Sequence, residues 1–117
     1  MGIRVYAAIL CAGVLALSMV PRSGGAAGDL AKGKALYEKY CVACHGPQGK
    51  GDGPAGRMLK PPAADFTSAA SQQKSAVEFM KIIENGKSGT AMGPWKGQLS
   101  QVELNDVLDY VMSLRKS

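Results

Sequence analysis

Residues 41–45 read Cys41-Val42-Ala43-Cys44-His45, and their types and spacing point to one chemistry. Two cysteines three positions apart on a helical turn share a face. Both sulfurs can then reach the two vinyl groups along one edge of a porphyrin. His45, next in the chain, is placed to offer its imidazole to the iron from the proximal side. This is the attachment signature of a c-type haem, and the sole histidine of the chain stands where that arrangement requires it. Competing readings lack partners. Zinc would need a fourth strong ligand, and beyond Cys41, Cys44 and His45 the body of the chain has no other Cys or His. A thioredoxin-like dithiol would need a strand–helix–strand setting, and no strand pattern surrounds the motif. A bridge between cysteines three apart would close almost no loop.

The iron needs a second axial ligand, and the lack of another His excludes a bis-histidine haem within one chain. A methionine thioether is soft, favours reduced iron and raises the potential. Four methionines follow residue 27. Met80 and Met112 fall in helical runs and read as core packing. Met58 lies in a loop 13 residues after His45. Met92 lies in the Gly-rich segment from Gly86 to Pro94, between two helices, where a loop can cross the distal face and present a side chain. Met92 and Met58 are thus the candidates.

Three helices are expected to position these groups. Asp29 can N-cap the first, over 30–41, with Leu30, Leu36, Tyr37, Tyr40 and Cys41 as its inner stripe. Gly33 inside it costs about 1 kcal/mol against Ala, which a close helix crossing would explain. Ser75 and Glu78 form a capping box for a middle helix ending at Asn85-Gly86; a start nearer Ser71 is the alternative. Phe79, Ile82 and Ile83 are its inner positions. Ser100 and Glu103 form a second capping box, and Leu99 with Leu104 a hydrophobic staple. Leu104, Val107, Leu108, Val111 and Leu114 then follow helical spacing, and Arg115 and Lys116 suit the C-terminal dipole. Residues 46–62 are rich in Gly and Pro, lack periodicity, and read as a loop over the proximal side.

Across residues 28–117 the chain resembles the small class I cytochromes c. The resemblance rests on the run from Gly33 through Cys41 to Gly46, on Gly89 to Trp95, and on Leu99-Ser100 through Tyr110-Val111. The run Gly49-Lys50-Gly51-Asp52-Gly53-Pro54 and the stretch from Pro61 to Phe66 bring it nearest to a bacterial monohaem subgroup that includes subunits like those of cbb3 oxidases. The resemblance implies an all-α cytochrome c fold, three to four short helices wrapped around one covalently attached haem c. It implies Met92 as the axial ligand, although Gly93 separates Met92 from Pro94 where the commonest pattern has none. A proline carbonyl accepting from the proximal imidazole is also implied, with Pro54 first and Pro62 next. The first and last helices should cross at Gly33 and Tyr37 against Val107 and Tyr110, which makes both tyrosines scaffold. Trp95 is expected either to pack on the haem or bond a propionate, or simply to be a core aromatic. Asp52 reads as a solvated loop carboxylate.

Residues 1–27 read as a secretory signal. Arg4 supplies the positive start, and an apolar run of 16 residues extends from Val5 to Val20. Pro21-Arg22 stops it, and small residues around Ala27 suit signal peptidase. The competing reading is an uncleaved anchor, short of the roughly 20 residues a span needs. Cys11 inside the run lacks the small preceding residue of a lipoprotein site. Cleavage after Ala27 removes Cys11, Arg4 and Arg22, so two cysteines remain and the net charge falls from +5 to +3. Two haem propionates would bring it near neutrality.

A haem with both axial positions filled exchanges single electrons and blocks ligand chemistry at the iron. The expected function is therefore a periplasmic one-electron carrier, not an enzyme, serving redox partner proteins, a donor dehydrogenase and an acceptor oxidase or reductase. The alternative is a haem c subunit of a larger periplasmic or membrane oxidoreductase. A gas sensor or peroxidase with a labile Met92 is a third reading, although a dihaem peroxidase would need a second Cys-x-x-Cys-His. Lys50, Lys60, Lys87 and Lys96 lie in segments expected to ring the haem, where they either steer acidic partners or merely solubilise. Basic residues interleaved with acids argue against nucleic-acid binding, and membrane contact is expected only through a partner or an uncleaved signal.

Overall fold

The computed structural model describes Gly2 and residues 27–117; the rest of the expected signal lies outside the described residues. In chain order the elements are α1 (Leu30–Tyr40), α2 (Val42–His45), a 3₁₀ turn (Gly56–Met58), α3 (Ala69–Gln72), α4 (Ala76–Asn85) and α5 (Gln101–Leu114). The described residues form an all-α fold of three helices of ten or more residues, α1, α4 and α5, and two single-turn segments.

Each long helix starts where its side chains satisfy the free N–H groups of a first turn. Asp29 accepts from Ala31 and Lys32. Complete capping boxes open α4 (Ser75 with Glu78) and α5 (Ser100 with Glu103). The middle helix starts at the Ser75 box; the alternative start nearer Ser71 is not used, and Ser71 falls inside a separate single turn. Ser68 caps the single turn α3, the chain breaks at Gln73-Lys74, and Ser75 restarts it as α4.

The core lies between α1, α4 and α5. Tyr37, Phe79, Ile83, Leu99, Leu104, Val107 and Val111 are buried there together with Phe66 from the long loop. Leu99 and Leu104 are both core residues, as a staple requires. Helices α1 and α5 cross at Gly33, where a Cβ would run into the Asp106 carbonyl oxygen and lie 3.0 Å from Tyr110 Cβ. Tyr37 and Tyr110 meet beside it, ring centroids 5.3 Å apart.

One inner-stripe expectation for α1 is corrected. Leu30 is 53% exposed, whereas Tyr40 lines the cavity described below. Gly33 and Tyr37, one turn apart, form the face that meets α5; Leu30 sits off that face at the helix start. Arg115 also does more than complement a dipole. It caps α5, donates to the Gln72 carbonyl at 2.9 Å, and lies 4.9 Å over the Phe79 ring, while Gln72 donates back to the Arg115 carbonyl at 2.7 Å. The C-terminus is thereby fastened to α3.

Candidate haem site

Helix α1 ends at Tyr40 and the chain turns through Cys41 straight into α2, with the N–H groups of Cys44 and His45 donating to the Cys41 carbonyl at 3.3 and 2.9 Å. The sequence Cys41-Val42-Ala43-Cys44-His45 therefore sits on one helical turn. Cys41 and Cys44 are not bridged to each other, and burial pushes the Cys41 thiol up to about 11.

The glycine-rich loop closes around the back of this turn. Gly51, Gly53 and Ala55 donate to the carbonyls of His45, Cys44 and Ala43 at 2.8, 3.2 and 3.0 Å. Gly53 and Gly56 lie so close to the turn that a Cβ on either would strike its carbonyl oxygens. The loop then places Ala64 and Phe66 against His45. The Nδ1 atom of His45 lies 3.2 Å from the Ala64 carbonyl, and the Phe66 ring stacks on the imidazole at 4.7 Å between centroids, 23° from parallel. A backbone acceptor at Nδ1 fixes the tautomer so that Nε2 is the free ligand nitrogen. Burial lowers the His45 pKa, offset in part by that bond, and a neutral imidazole is the form a metal needs.

These groups form one wall of a cavity of about 450 Å³, within the size range of cofactor sites. Cys41, Cys44 and His45 line it on one side. Phe79, Ile82, Ile83, Val107 and Val111 give apolar lining, and Met92 and Trp95 come from the α4–α5 connection. That connection is folded back on α4. Lys87 donates to the Met92 carbonyl at 3.0 Å, Trp95 to Ile83 at 3.1 Å, and Lys96 to Glu84 at 3.0 Å. Gly86 holds φ +71° where a Cβ would collide with the Met92 carbonyl. The Met92 N–H is in turn bound by Thr90 Oγ1 at 3.2 Å.

The expected site residues are thus largely brought together. Met92 lines the cavity, whereas Met58, Met80 and Met112 do not, and Met58 is 83% exposed. Trp95 lines it and tilts against Tyr40 at 5.2 Å. Pro54 is a correction. It does not line the cavity, and the carbonyl at His45 Nδ1 belongs to Ala64, because the loop must pass beneath α2 before its backbone can reach the imidazole edge. Pro61 and Pro62 line the cavity, but neither supplies that acceptor. Among the lysines expected around the site only Lys87 lines the cavity; Lys74, which nothing in the sequence singled out, joins it. Phe66 and Ala64 were also missed as partners of His45. Phe66 stood inside a recognised motif, but a backbone carbonyl leaves no sequence signal.

Paired thiols on one turn, an adjacent imidazole, a methionine from another loop and apolar walls suit a covalently attached haem, and the site defines a class I c-type cytochrome. Comparison with known proteins agrees. The family described as cytochrome c oxidase, cbb3-type, subunit III matches residues 28–111, and the chain belongs to it. Cytochrome c6 of Chlorolobion braunii is 35% identical over 83 residues, covering 71% of this chain and 88% of that protein. The cbb3-type cytochrome c oxidase subunit FixP of Bradyrhizobium diazoefficiens is 33% identical over 101 residues, covering 86% of this chain but only 32% of that subunit. Among solved structures, the Kuenenia stuttgartiensis reducing HAO-like protein complex Kustc0457/Kustc0458 superposes with a TM-score of 0.63 at 27% identity, over 71% of this chain and 41% of the matched one. The protein is a haem c electron carrier of the cytochrome c fold, of a kind found both as small cytochromes and within larger assemblies.

Proposed function

We propose that residues 28–117 act as a periplasmic one-electron carrier in which His45 and Met92 are the axial ligands, Cys41 and Cys44 hold the haem, and residues 1–27 are a signal removed after Ala27. The observation that carries the ligand assignment is that Met92 is the one methionine of residues 28–117 on the cavity wall. Bound haem c supplies a one-electron iron couple. The chain's own residues anchor it, aim one imidazole nitrogen through the Ala64 bond, and exclude water with the apolar wall. With His45 and Met92 both holding the iron, the chain would perform no bond chemistry and would pass electrons between partner proteins.

Met92→Ala tests this. The ferric protein is expected to lose the weak near-infrared sulfur-to-iron absorption, its potential to fall, and the reduced form to bind CO rapidly. Retention of the band overturns the assignment.

A second reading has its own support. The chain spans about a third of FixP, so the same domain occurs inside a larger oxidase subunit. Gentle purification from native membranes and periplasm separates the two: a lone monomer supports the carrier, and a stoichiometric complex supports the subunit.

A further inference from the structure

The start of α1 is held by two acidic side chains that the haem site does not use. Asp106 and Asp109 stand one turn apart on α5. Asp106, 4% exposed, accepts from the Asp29 N–H at 2.7 Å, and the Asp109 carboxylate accepts from the Gly28 N–H at very short range. Gly28 is pressed on the backbone of α5. A Cβ there would lie 2.5 Å from the Asn105 carbonyl oxygen and 2.8 Å from Asp106 Cα, so only glycine can occupy the seat. Lys116, Met112 and Leu30 flank the same groove. Gly28 therefore presents its nitrogen to a carboxylate.

We propose that this seat is built for a free amino terminus: hydrolysis of the Ala27–Gly28 peptide bond, with water as co-reactant, leaves an α-ammonium group on Gly28 that Asp109 binds as an ion pair. The inference rests on the cleavage reading above and adds what cleavage does to the folded protein. An amide N–H offers the Asp109 carboxylate one hydrogen bond from an uncharged donor. An ammonium adds a full positive charge to that contact and turns it into an ion pair with Asp109. Removal of the leader then tightens the packing of α1 on α5, the helices from which Tyr37, Val107 and Val111 line the haem cavity.

The test uses four holo-proteins: chains starting at Gly28 or retaining Ala26-Ala27, each with Asp109 or with Asp109→Asn, which keeps an acceptor and removes the charge. The Gly28 start is expected to melt about 4–8 °C above the extended chain, the shift that corresponds to one strong interaction in a domain this size. Asp109→Asn should close that gap, and high salt should narrow it. The Gly28 amine should also acylate more slowly with Asp109 than with Asn. Equal melting of the two starts, or a gap that survives Asp109→Asn, overturns the seat. The mass of the protein taken from its native periplasm tests the cleavage reading separately: a start at Gly28 supports it, and any other start overturns it while the four-protein comparison still reports on the seat.

Discussion

At Tyr37 one side chain serves two neighbours. Its ring is fully buried against α5, and its hydroxyl donates to the Gly46 carbonyl just past the haem motif. Burial, with the Cys41 thiol as a lesser cause, raises the phenol well above its ordinary range, so it remains a donor at any working pH. Tyr37→Phe should cost only about 1 kcal/mol, because the Gly46 carbonyl keeps the Gly49 N–H at 3.1 Å; thermal unfolding followed at the haem band measures it. Phe66 carries a different burden. It flanks the imidazole that Ala64 orients, and it meets Phe79 in a T-shaped contact at 5.8 Å. Phe66→Ala should cost about 3–5 kcal/mol as a large core truncation. It should also broaden the spectroscopic signature of the axial ligand field, whereas Phe66→Tyr, which keeps the ring, should restore that signature.

Helix ends and helix crossings set the next scale. The sequence signals here were strong: Asp29, Ser75 with Glu78, and Ser100 with Glu103 all cap as their spacing requires. Such motifs were legible because they act within four residues of themselves. Hydrogen bonds from the Ser75 and Ser100 N–H groups, and then from their hydroxyls, hold the Glu78 and Glu103 carboxyls below their ordinary pKa. A lowered folded pKa contributes stability above the unfolded value, about 4.3, and that contribution is lost as pH falls through the folded value. Replacing both glutamates with Gln keeps the box but removes the titration. The double variant should lose less stability than the parent between about pH 4.5 and 3, read from urea midpoints. Gly33→Ala sets propensity against packing. Ala gains about 1 kcal/mol as a helix former, yet its methyl meets the Asp106 carbonyl. Because that obstacle is backbone, α1 and α5 must separate, and net destabilisation of about 1–3 kcal/mol is expected.

For the whole molecule the cofactor and the fold depend on each other. Apolar walls surround a cavity of about 450 Å³, and small domains gain much from a bound group. Cys41→Ser with Cys44→Ser, which blocks attachment, should leave a chain with reduced helical circular dichroism and a broad, weakly cooperative melt. Lys74 and Lys87 line the cavity, and Lys50, Lys60 and Lys96 lie outside it. If lysines at the haem edge steer partners, the rate of electron exchange with an acidic partner should fall with ionic strength, and Lys87→Gln should weaken that dependence more than Lys96→Gln.

The sequence by itself determined the covalent chemistry and the local frame. Cys41, Cys44 and His45 are neighbours along one turn, and the helix caps are contiguous, so chain spacing alone brings those groups together. Met92 was legible as one of two loop methionines; its place on the cavity wall depends on the α4–α5 connection folding back on α4. Only the tertiary structure decided that the His45 acceptor is the Ala64 carbonyl and not Pro54, that Phe66 stacks on the imidazole, and that Asp106 and Asp109 seat Gly28. Those contacts join atoms far apart in sequence, several of them backbone, and backbone atoms are the same in every residue. Which carbonyl meets which ring is therefore settled by the path of the loop and the crossing of the helices, not by residue type.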